Sequence, residues 1–318
     1  MLNYEQIKTL IENRLILKTD NTPFEQLGEI LFDKKYSKPE VRRRMWTMWD
    51  LIQVIEKEKT GRPATIILSL SDLHIPFQLD FKSLQSFRNE VDILQLNGDI
   101  VDCQALSKFP KQYRISPMEE LIQGRQYLIE LIEYLQPKKV VCNYGNHDKR
   151  FAAYFAKNLD TDILELMPNT SLELIFSDGF RHYNKKEKTK IYYEPLNAVF
   201  DGIEIEFVDD WKCRIGKTIF AHPMAYRSGF LATADKAKQY FQDAEKEPFD
   251  CICMAHTHRI GDTMSGHIRL FEQGAFAHLD KMNYMDGKLT SPQKSGFAYI
   301  CQDSDGNIIN EKSKIFMI

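Results

Sequence analysis

Side chains that can bind metal ions or move protons come in five short groups, and each group directly follows an apolar run. Carboxylate oxygens, amide oxygens and imidazole nitrogens together suit divalent ions such as Mn²⁺, Fe²⁺ or Zn²⁺. Five of the eight histidines in the chain lie in these groups, which chance placement explains poorly. In chain order the groups are Asp72-Leu73-His74, Gly98-Asp99-Ile100-Val101-Asp102, Gly145-Asn146-His147-Asp148, His222 and His256-Thr257-His258. Taken together, they predict a metal site.

Each group also has an ordinary interpretation when it is considered alone. The pair Asp72 and His74 is compatible with a polar loop, and His222 is compatible with a core histidine that makes one backbone hydrogen bond. The i, i+2 spacing of His256 and His258 favours metal binding more clearly. The prediction therefore depends on all five groups converging at one place in the fold.

The apolar runs before these groups have the length and composition of buried strands. They cover about residues 64–71, 92–97, 138–143, 217–221 and 249–254. Helical patterns lie between them, and the clearest begins at the capping box Ser116-Pro117-Met118-Glu119. Strands that alternate with helices predict a layered α/β domain, whose ligands collect at the carboxyl ends of the strands. In an extended backbone, Asp72 and His74 would point to the same side.

The five groups, in this order, resemble the signature blocks of the calcineurin-like metallophosphoesterase superfamily. That superfamily includes protein phosphatases, nucleotide phosphodiesterases and nucleases of the Mre11/SbcD type. The resemblance covers about residues 64–260, and it departs from the usual pattern at Ala255 and Pro223, where glycine is common. It implies an α/β fold: a layered metallophosphoesterase β-sandwich flanked by helices (α/β/β/α).

The resemblance also implies roles for individual residues. Two divalent ions, Mn²⁺ first and Fe or Zn²⁺ as alternatives, would share the carboxylate of Asp99. His147 would be the general acid, and Asp102 would orient its imidazole; the alternative for Asp102 is a turn or cap carboxylate. The remaining ligands would be Asp72, His74 and His258 for one ion, and Asn146, His222 and His256 for the other.

The first block, Ser71-Asp72-Leu73-His74, resembles the nuclease and cyclic-nucleotide branches, so we expect a phosphodiester of a nucleic acid or nucleotide as the substrate. Asp102 is followed by Cys103-Gln104 and not by the Arg-Gly of Ser/Thr phosphatases. The alternatives are a phosphomonoesterase with the same metals, and a nucleic-acid-binding protein with little turnover. Candidates for substrate contact, which could equally be solvated, are Lys149, Arg150, Tyr226 and Arg227.

The pattern predicts a helical N-terminal module over residues 1–60 and a catalytic domain over 61–318, with an insertion at about 151–210. The module carries Arg42-Arg43-Arg44 and is either a helix-turn-helix or a structural cap. A lysine-rich stretch inside the insertion is interpreted as a solvated loop. Its lysines are Lys185, Lys186, Lys188 and Lys190.

The composition is that of an ordinary globular protein, with 43% hydrophobic and 27% charged residues. The net charge of −3 excludes bulk electrostatic attraction to nucleic acids or acidic membranes, but a local basic patch remains compatible with it. No apolar run is long enough to span a membrane. The six cysteines are scattered in apolar contexts, which predicts buried thiols and a cytoplasmic location.

Overall fold

The computed structural model describes residues 63–107, 115–200, 202–224, 227–282 and 292–318. The helical module predicted for residues 1–60 lies outside these ranges and stays a prediction. Residues Ala64–Ile318 form one unit by their internal contacts. None of the helices within the described ranges has both the length and the apolar character needed to cross a membrane.

Thirteen strands among the described residues build two large sheets and one hairpin. The first sheet has the order β13-β12-β1-β2-β3-β6, the second has the order β10-β11-β9-β8-β7, and β4 pairs with β5 alone. The strands are β1 (Thr65–Leu70), β2 (Ile93–Asn97), β3 (Lys139–Asn143), β4 (Phe180–Asn184), β5 (Thr189–Tyr193), β6 (Glu204–Val208), β7 (Lys212–Ile215), β8 (Thr218–Ala221), β9 (Cys251–Met254), β10 (Ile260–Ser265), β11 (Ile268–Gln273), β12 (Gly296–Gln302) and β13 (Lys314–Met317).

Parallel pairing brings the ends of the predicted strands together. In the first sheet β1, β2, β3 and β6 are parallel, and in the second sheet β8, β9 and β11 are parallel. The carboxyl ends of the parallel strands in each sheet therefore lie at one edge. The observed bounds of β1, β2 and β3 agree with the predicted runs to within a residue or two.

The two sheets pack face to face, and helices cover their outer faces. Alternate residues of each strand point to opposite faces, so Ile67 of β1 packs with Phe220 and Phe271 between the sheets, whereas Leu68 and Leu70 face the helical side. A second hydrophobic cluster lies on the outer face of the second sheet and buries Phe241 of the helix Ala232–Ala244. The expected α/β/β/α layering is thus confirmed.

Within the described part of the chain, three longer helices complete the layers: α1 (Pro117–Leu135), α2 (Arg150–Asn158) and α3 (Ala232–Ala244). Helix α1 begins as its capping box predicts, because Oγ of Ser116 accepts a hydrogen bond from the N–H of Glu119 over 3.1 Å. The shorter helical turns are Phe81–Phe87, Gln104–Leu106, Thr161–Leu164, Ser171–Glu173, Leu174–Asp178, Leu196–Val199 and Leu279–Lys281.

The segment at 151–210 contains most of helix α2, short helical turns and the β4–β5 hairpin. It ends in β6, which pairs in parallel with β3 as the edge strand of the first sheet. The sheet therefore extends into the region that the sequence interpretation left outside the core fold. All six cysteines are buried free thiols, as predicted.

Candidate metal centre

The candidate residues lie in the loops that follow β1, β2, β3, β8 and β9. Strand β1 ends at Leu70, so Asp72 and His74 are not part of an extended strand. Both residues have left-handed backbone conformations, with φ of 51° and 45°. The sequence argument correctly predicted that their side chains meet, but the extended-strand reason was wrong, because a left-handed turn brings them together.

Left-handed backbone recurs across the site. Asp99 has φ of 53°, and His256 and His258 have φ of 76° and 54°. Such conformations are uncommon for residues other than glycine and cost of order 1 kcal/mol or more each, so the surrounding structure must hold them. They concentrate in the loops that carry the candidate ligands, which is where functional strain is expected.

Two glycines let the second and third loops approach each other. A Cβ on Gly98, whose φ is 75°, would lie 2.5 Å from the backbone nitrogen of Gly145. A Cβ on Gly145 would lie 2.2 Å from Oδ1 of Asp99. Neither contact is sterically possible. Glycine at both positions is what allows the Asp99 and His147 loops to share one site.

The side chains form two neighbouring groups that could hold metal ions. In the group of Asp72, His74 and His258, Nε2 of His258 lies 3.1 Å from Oδ1 of Asp72 and 3.0 Å from Nε2 of His74. In the group of Asp99, His222 and His256, Nε2 of His222 lies 3.2 Å from Oδ2 of Asp99. Candidate ligand atoms within each group lie within 4.8 Å of one another.

Asp99 connects the two groups. Its Oδ2 lies 3.2 Å from Nε2 of His222 and 3.9 Å from Nε2 of His74. Oδ1 of the same carboxylate accepts a hydrogen bond from the backbone N–H of His147 over 2.7 Å. One carboxylate oxygen is therefore held by the third loop, and the other faces imidazoles of both groups.

The hydrogen bonding of these residues fits a bound cation. Nδ1 of His222 donates to the carbonyl oxygen of Asn97 over 2.7 Å, so Nε2 is the ring nitrogen that faces the carboxylates and would face a bound ion. Oδ1 of Asn146 is buried and makes no hydrogen bond, and Nε2 of His222 faces the carboxylates of Asp99 and Asp72. Buried polar atoms without partners are rare, and a nitrogen and an amide oxygen are both suitable metal ligands.

The electrostatics of the site also favour a bound cation. Burial raises the pKa of Asp72 and Asp99, but neighbouring imidazoles, His222 first, hold both well below the ordinary carboxyl range. Burial lowers the pKa of His222, yet Asp99 and Asp72 raise it to about 10. Burial and the charge of His222 lower the pKa of His256 to about 4. A proton on His222 balances the buried carboxylates, and a divalent ion would do so more effectively.

His147 and Asp102 form a separate pair at the rim of the site. Nδ1 of His147 lies 2.8 Å from Oδ1 and 3.0 Å from the carbonyl oxygen of Asp102. Both oxygens can only accept, so Nδ1 carries the hydrogen and Nε2 is the nitrogen that can exchange a proton. The guanidinium of Arg150 lies 3.0 Å from this Nε2 and donates to the carbonyl oxygen of Asp102 over 2.6 Å.

His147 also belongs to a third possible metal group with His74 and Asp99, and its Nε2 lies 3.9 Å from Oδ2 of Asp99. A nitrogen that faces the guanidinium of Arg150 is poorly placed to bind a second cation. The geometry of His147 therefore suits proton transfer better than metal binding.

The comparisons with known proteins agree with this geometry. The family model described as calcineurin-like phosphoesterase matches residues 66–260, which include all five groups. The chain belongs to this family. Metal-dependent hydrolysis of phosphate esters, the chemistry of the family, accounts for the clustered carboxylates and imidazoles. No curated protein matches this calcineurin-like phosphoesterase.

Solved structures similar to this chain include an archaeal phosphodiesterase, a Vps29 protein and a predicted bacterial phosphoesterase. An archaeal phosphodiesterase is 11% identical, with 80% of this chain and 100% of that chain covered and a TM-score of 0.36. Vps29 from Entamoeba histolytica, solved with Zn²⁺, is 9% identical, with 80% and 98% covered and a TM-score of 0.38. A predicted phosphoesterase from Streptococcus pneumoniae is 14% identical, with 80% and 98% covered and a TM-score of 0.29.

The structure of the phosphoesterase adds positioning residues that the sequence argument missed. Oδ2 of Asp148 accepts hydrogen bonds from the N–H groups of Asp99 over 2.7 Å and Gly145 over 2.8 Å. Burial and the nearby Asp99 raise the pKa of Asp148 to about 7. Its place in the Gly-Asn-His-Asp block was the available signal. The sequence contains no such signal for Asn97, because the backbone carbonyl of any strand residue looks the same in the sequence and does not indicate a contact with His222.

The four predicted substrate contacts are placed differently from one another. Arg150 lies against His147, as described above. Nζ of Lys149 lies 3.5 Å from Oδ1 of Asp209 and 4.1 Å from the ring centroid of Tyr144, so the lysine is already engaged on the surface. Arg227 lines a cleft with Pro223, the residue after His222. Tyr226 lies outside the described residues.

A second cleft, of about 710 Å³, opens at the metal centre of this phosphoesterase. Its walls combine polar and cationic groups with apolar and aromatic ones, and its volume is in the range of ordinary ligand sites. The residues that line it include Asn146, Arg150, Leu106, Tyr154, Lys157 and Met224.

Proposed function

We propose that this calcineurin-like phosphoesterase hydrolyses phosphodiester bonds of a nucleotide or nucleic acid with two divalent metal ions, Mn²⁺ first, in its site. The observation that carries the proposal is the position of Asp99, whose Oδ2 lies within 4 Å of His222 in one ligand group and of His74 in the other. A carboxylate shared between two ligand groups can hold two ions close together, and closely spaced ions are the arrangement used in two-metal hydrolysis.

Each ion would have its own ligands in addition to Asp99. Asp72, His74 and His258 would hold one ion, and Asn146, His222 and His256 would hold the other. When bound, such ions supply positive charge for the phosphate oxygens and lower the pKa of water towards about 7. The carbonyl oxygen of Asn97 keeps Nε2 of His222 available as a ligand atom by accepting the hydrogen on Nδ1.

His147 would donate a proton to the leaving oxygen. Asp102 holds the hydrogen on Nδ1, so a proton for the leaving group must come from Nε2. General acid catalysis of this kind is worth about 10²–10⁴-fold. Arg150 lies beside that nitrogen, where its guanidinium could shift to a phosphate oxygen of the substrate and leave Nε2 for the leaving oxygen.

The cleft at Asn146 and Arg150 supports a nucleotide-like substrate. Arg150 and Lys157 supply positive charge for phosphates, and Tyr154, whose side chain is exposed, supplies an aromatic face for a base. These three residues fall on one face of helix α2, because positions 150, 154 and 157 are separated by four and three residues. A diester has groups on both sides of the phosphate, and a cleft that leads away from the metals suits one of them.

The test compares the rates at which the manganese-loaded protein hydrolyses a diester, bis-p-nitrophenyl phosphate, and a monoester, p-nitrophenyl phosphate. We expect the diester to be hydrolysed faster, and a panel of nucleotides and short oligonucleotides should then identify the natural class. His267→Ala, which removes an exposed histidine, is the matched control for His147→Ala. Faster hydrolysis of the monoester would favour the phosphomonoesterase instead, and turnover of neither would reject the proposal.

A further inference from the structure

The β4–β5 hairpin has an exposed face made of two tyrosines and two cations. Its register pairs Arg181 with Tyr192 and Tyr183 with Lys190. Side chains alternate between the two faces of a strand, so these four residues share one face. Tyr183 and Tyr192 are 50% and 51% exposed, which is unusual for two large aromatic side chains on neighbouring strands. The two cations are also exposed.

The hairpin is strongly basic in a chain that is slightly acidic. Residues 181–190 contain five Lys or Arg and one Glu, a net charge of +4, whereas the whole chain carries −3. The connection between the strands contains Lys185, Lys186 and Lys188, all of them exposed. Of the lysines interpreted from the sequence as a solvated loop, three lie in this exposed turn, and Lys190 belongs to β5.

The opposite face of the hairpin is fixed to the main domain. The rings of Phe180 and Tyr193 stack at 5.0 Å between centroids, and Phe180 is buried in the core cluster that also contains residues of helix α1. Nε of Arg125 donates to the carbonyl oxygen of Glu194 over 2.6 Å, just after β5. On the exposed face, the hydroxyl of Tyr192 also ties the hairpin down, because it donates to the carbonyl oxygen of Asp178 over 3.2 Å. Because these contacts already fix the hairpin, the hairpin would lose less conformational entropy when a ligand binds to its exposed face.

We propose that this face, made of Arg181, Tyr183, Lys190 and Tyr192 and called the hairpin platform below, binds single-stranded nucleic acid. Aromatic rings on which bases stack, interleaved with cations that contact phosphates, are the elements of single-strand binding surfaces. The guanidinium carbon of Arg181 lies over the ring of Tyr192, 5.7 Å from its centroid, so this cation and this ring form one compact part of the platform.

Other anionic partners fit the platform less well. A membrane surface would attract the lysines, but the exposed rings are tyrosines, and the tip of the hairpin is Lys185-Lys186-Glu187-Lys188, which has no apolar side chain to insert. In a duplex the bases are stacked on one another, so their faces are not accessible to Tyr183 and Tyr192. Single strands use both the charge and the rings.

The test measures binding of fluorescently labelled oligothymidylate to the full-length protein by anisotropy, with a chelator present so that the strand is not hydrolysed. Tyr183→Ala/Tyr192→Ala should weaken binding by about tenfold or more, because each stacked base contributes substantially. Tyr183→Phe/Tyr192→Phe, which keeps both rings, should bind like the wild type. This conservative pair also shows whether any loss comes from the rings and not from a damaged hairpin.

The cations are tested through the salt dependence. Arg181→Gln/Lys190→Gln should reduce the slope of log K against log salt by about 1.4, since each phosphate contact to a single strand contributes about 0.7. The matched control is Lys246→Gln/Lys281→Gln, which removes two exposed lysines elsewhere and should leave the slope unchanged. All variants should hydrolyse bis-p-nitrophenyl phosphate at the wild-type rate, so the platform is tested independently of the proposed active site.

Three results would overturn the proposal. One is oligothymidylate binding that is absent or is the same in the platform variants as in the wild type. Another is heparin binding that responds to the variants as oligothymidylate does, which would make the platform a general polyanion site. The third is binding of the wild type to vesicles of phosphatidylserine and phosphatidylcholine that is lost in the platform variants, while binding of the oligonucleotide is the same in the variants as in the wild type.

Discussion

Asp102 accepts a hydrogen bond from Nδ1 of His147 over 2.8 Å, and the same oxygen, Oδ1, lies 3.2 Å from Nδ1 of His74. One carboxylate thus orients the proposed general acid and a proposed metal ligand together. Burial raises the pKa of Asp102, but hydrogen bonds from His147 and His74 lower it far more, so the group is ionised at any ordinary pH. The metal site and the proton donor therefore depend on each other through Asp102.

Replacing Asp102 with Asn should impair both functions. The amide cannot serve as a charged acceptor for two imidazoles, so we expect metal affinity to fall by about 10–100-fold, the usual effect of losing a partner of a metal-bound histidine. Turnover at saturating metal should also fall, because His147 loses its orientation. Calorimetric Mn²⁺ titration and activity at several metal concentrations measure the two effects. An Asp102→Asn protein with wild-type metal affinity would mean that Asp102 does not support His74.

Replacing His147 with Ala should affect catalysis alone. The two ligand groups remain intact, so metal content should be unchanged, while turnover of a nucleotide diester should fall by about 10²–10⁴-fold. Bis-p-nitrophenyl phosphate should lose much less, because nitrophenolate leaves without being protonated. An equal loss for both substrates would contradict the general-acid role. The His267→Ala protein should match the wild type on both.

Glu120, buried in helix α1, should make the folded state less stable as the pH rises. Burial, then the charge of Asp102, raise its pKa to about 8, whereas an ordinary glutamate ionises near 4.5. Between these values the folded protein holds a proton that the unfolded chain has released. The free energy of unfolding should therefore decrease from about pH 4.5 to pH 8, and the contribution of this proton is absent above pH 8.

Glu120→Gln is neutral at every pH and should remove this decrease. At pH 8.5 the variant should be more stable than the wild type by on the order of a few kcal/mol, with little difference near pH 5. Urea unfolding of both proteins at pH 5 and pH 8.5, with a chelator present to remove metal ions, measures this difference in stability. Glu119→Gln, which changes an exposed neighbour on the same helix, is the control. If the free energy of unfolding changes between the two pH values by the same amount in Glu120→Gln as in the wild type, another group causes the change.

The types, order and spacing of the candidate ligands were predictable because they are local. Short apolar runs followed by Asp, Asn or His predicted strands with ligands at their ends, and the Ser116 capping box predicted the start of helix α1. These signals lie within a few residues of one another, so the chain itself reveals them. The layered fold followed from the alternation of strands and helices and from the family resemblance.

The interactions that hold the ligands in place were not predictable, because they join distant parts of the chain. The carbonyl oxygen of Asn97 meets His222, which is 125 residues away in sequence. Oδ1 of Asp102 contacts His74 as well as His147, and left-handed backbone at Asp72 replaces the expected extended strand. Such contacts depend on which loops the fold brings together, and no local pattern records them.

The most direct test of the central claim is a count of metal ions in the wild type and in Asp99→Asn after reconstitution with Mn²⁺, measured by mass spectrometry together with diesterase activity. Asp243→Asn, which changes an exposed carboxylate on helix α3, is the control. We predict two ions per chain and full activity in the wild type and the control, and loss of metal and activity in Asp99→Asn. An active wild type with one ion, or an Asp99→Asn protein that keeps two, would contradict the shared carboxylate.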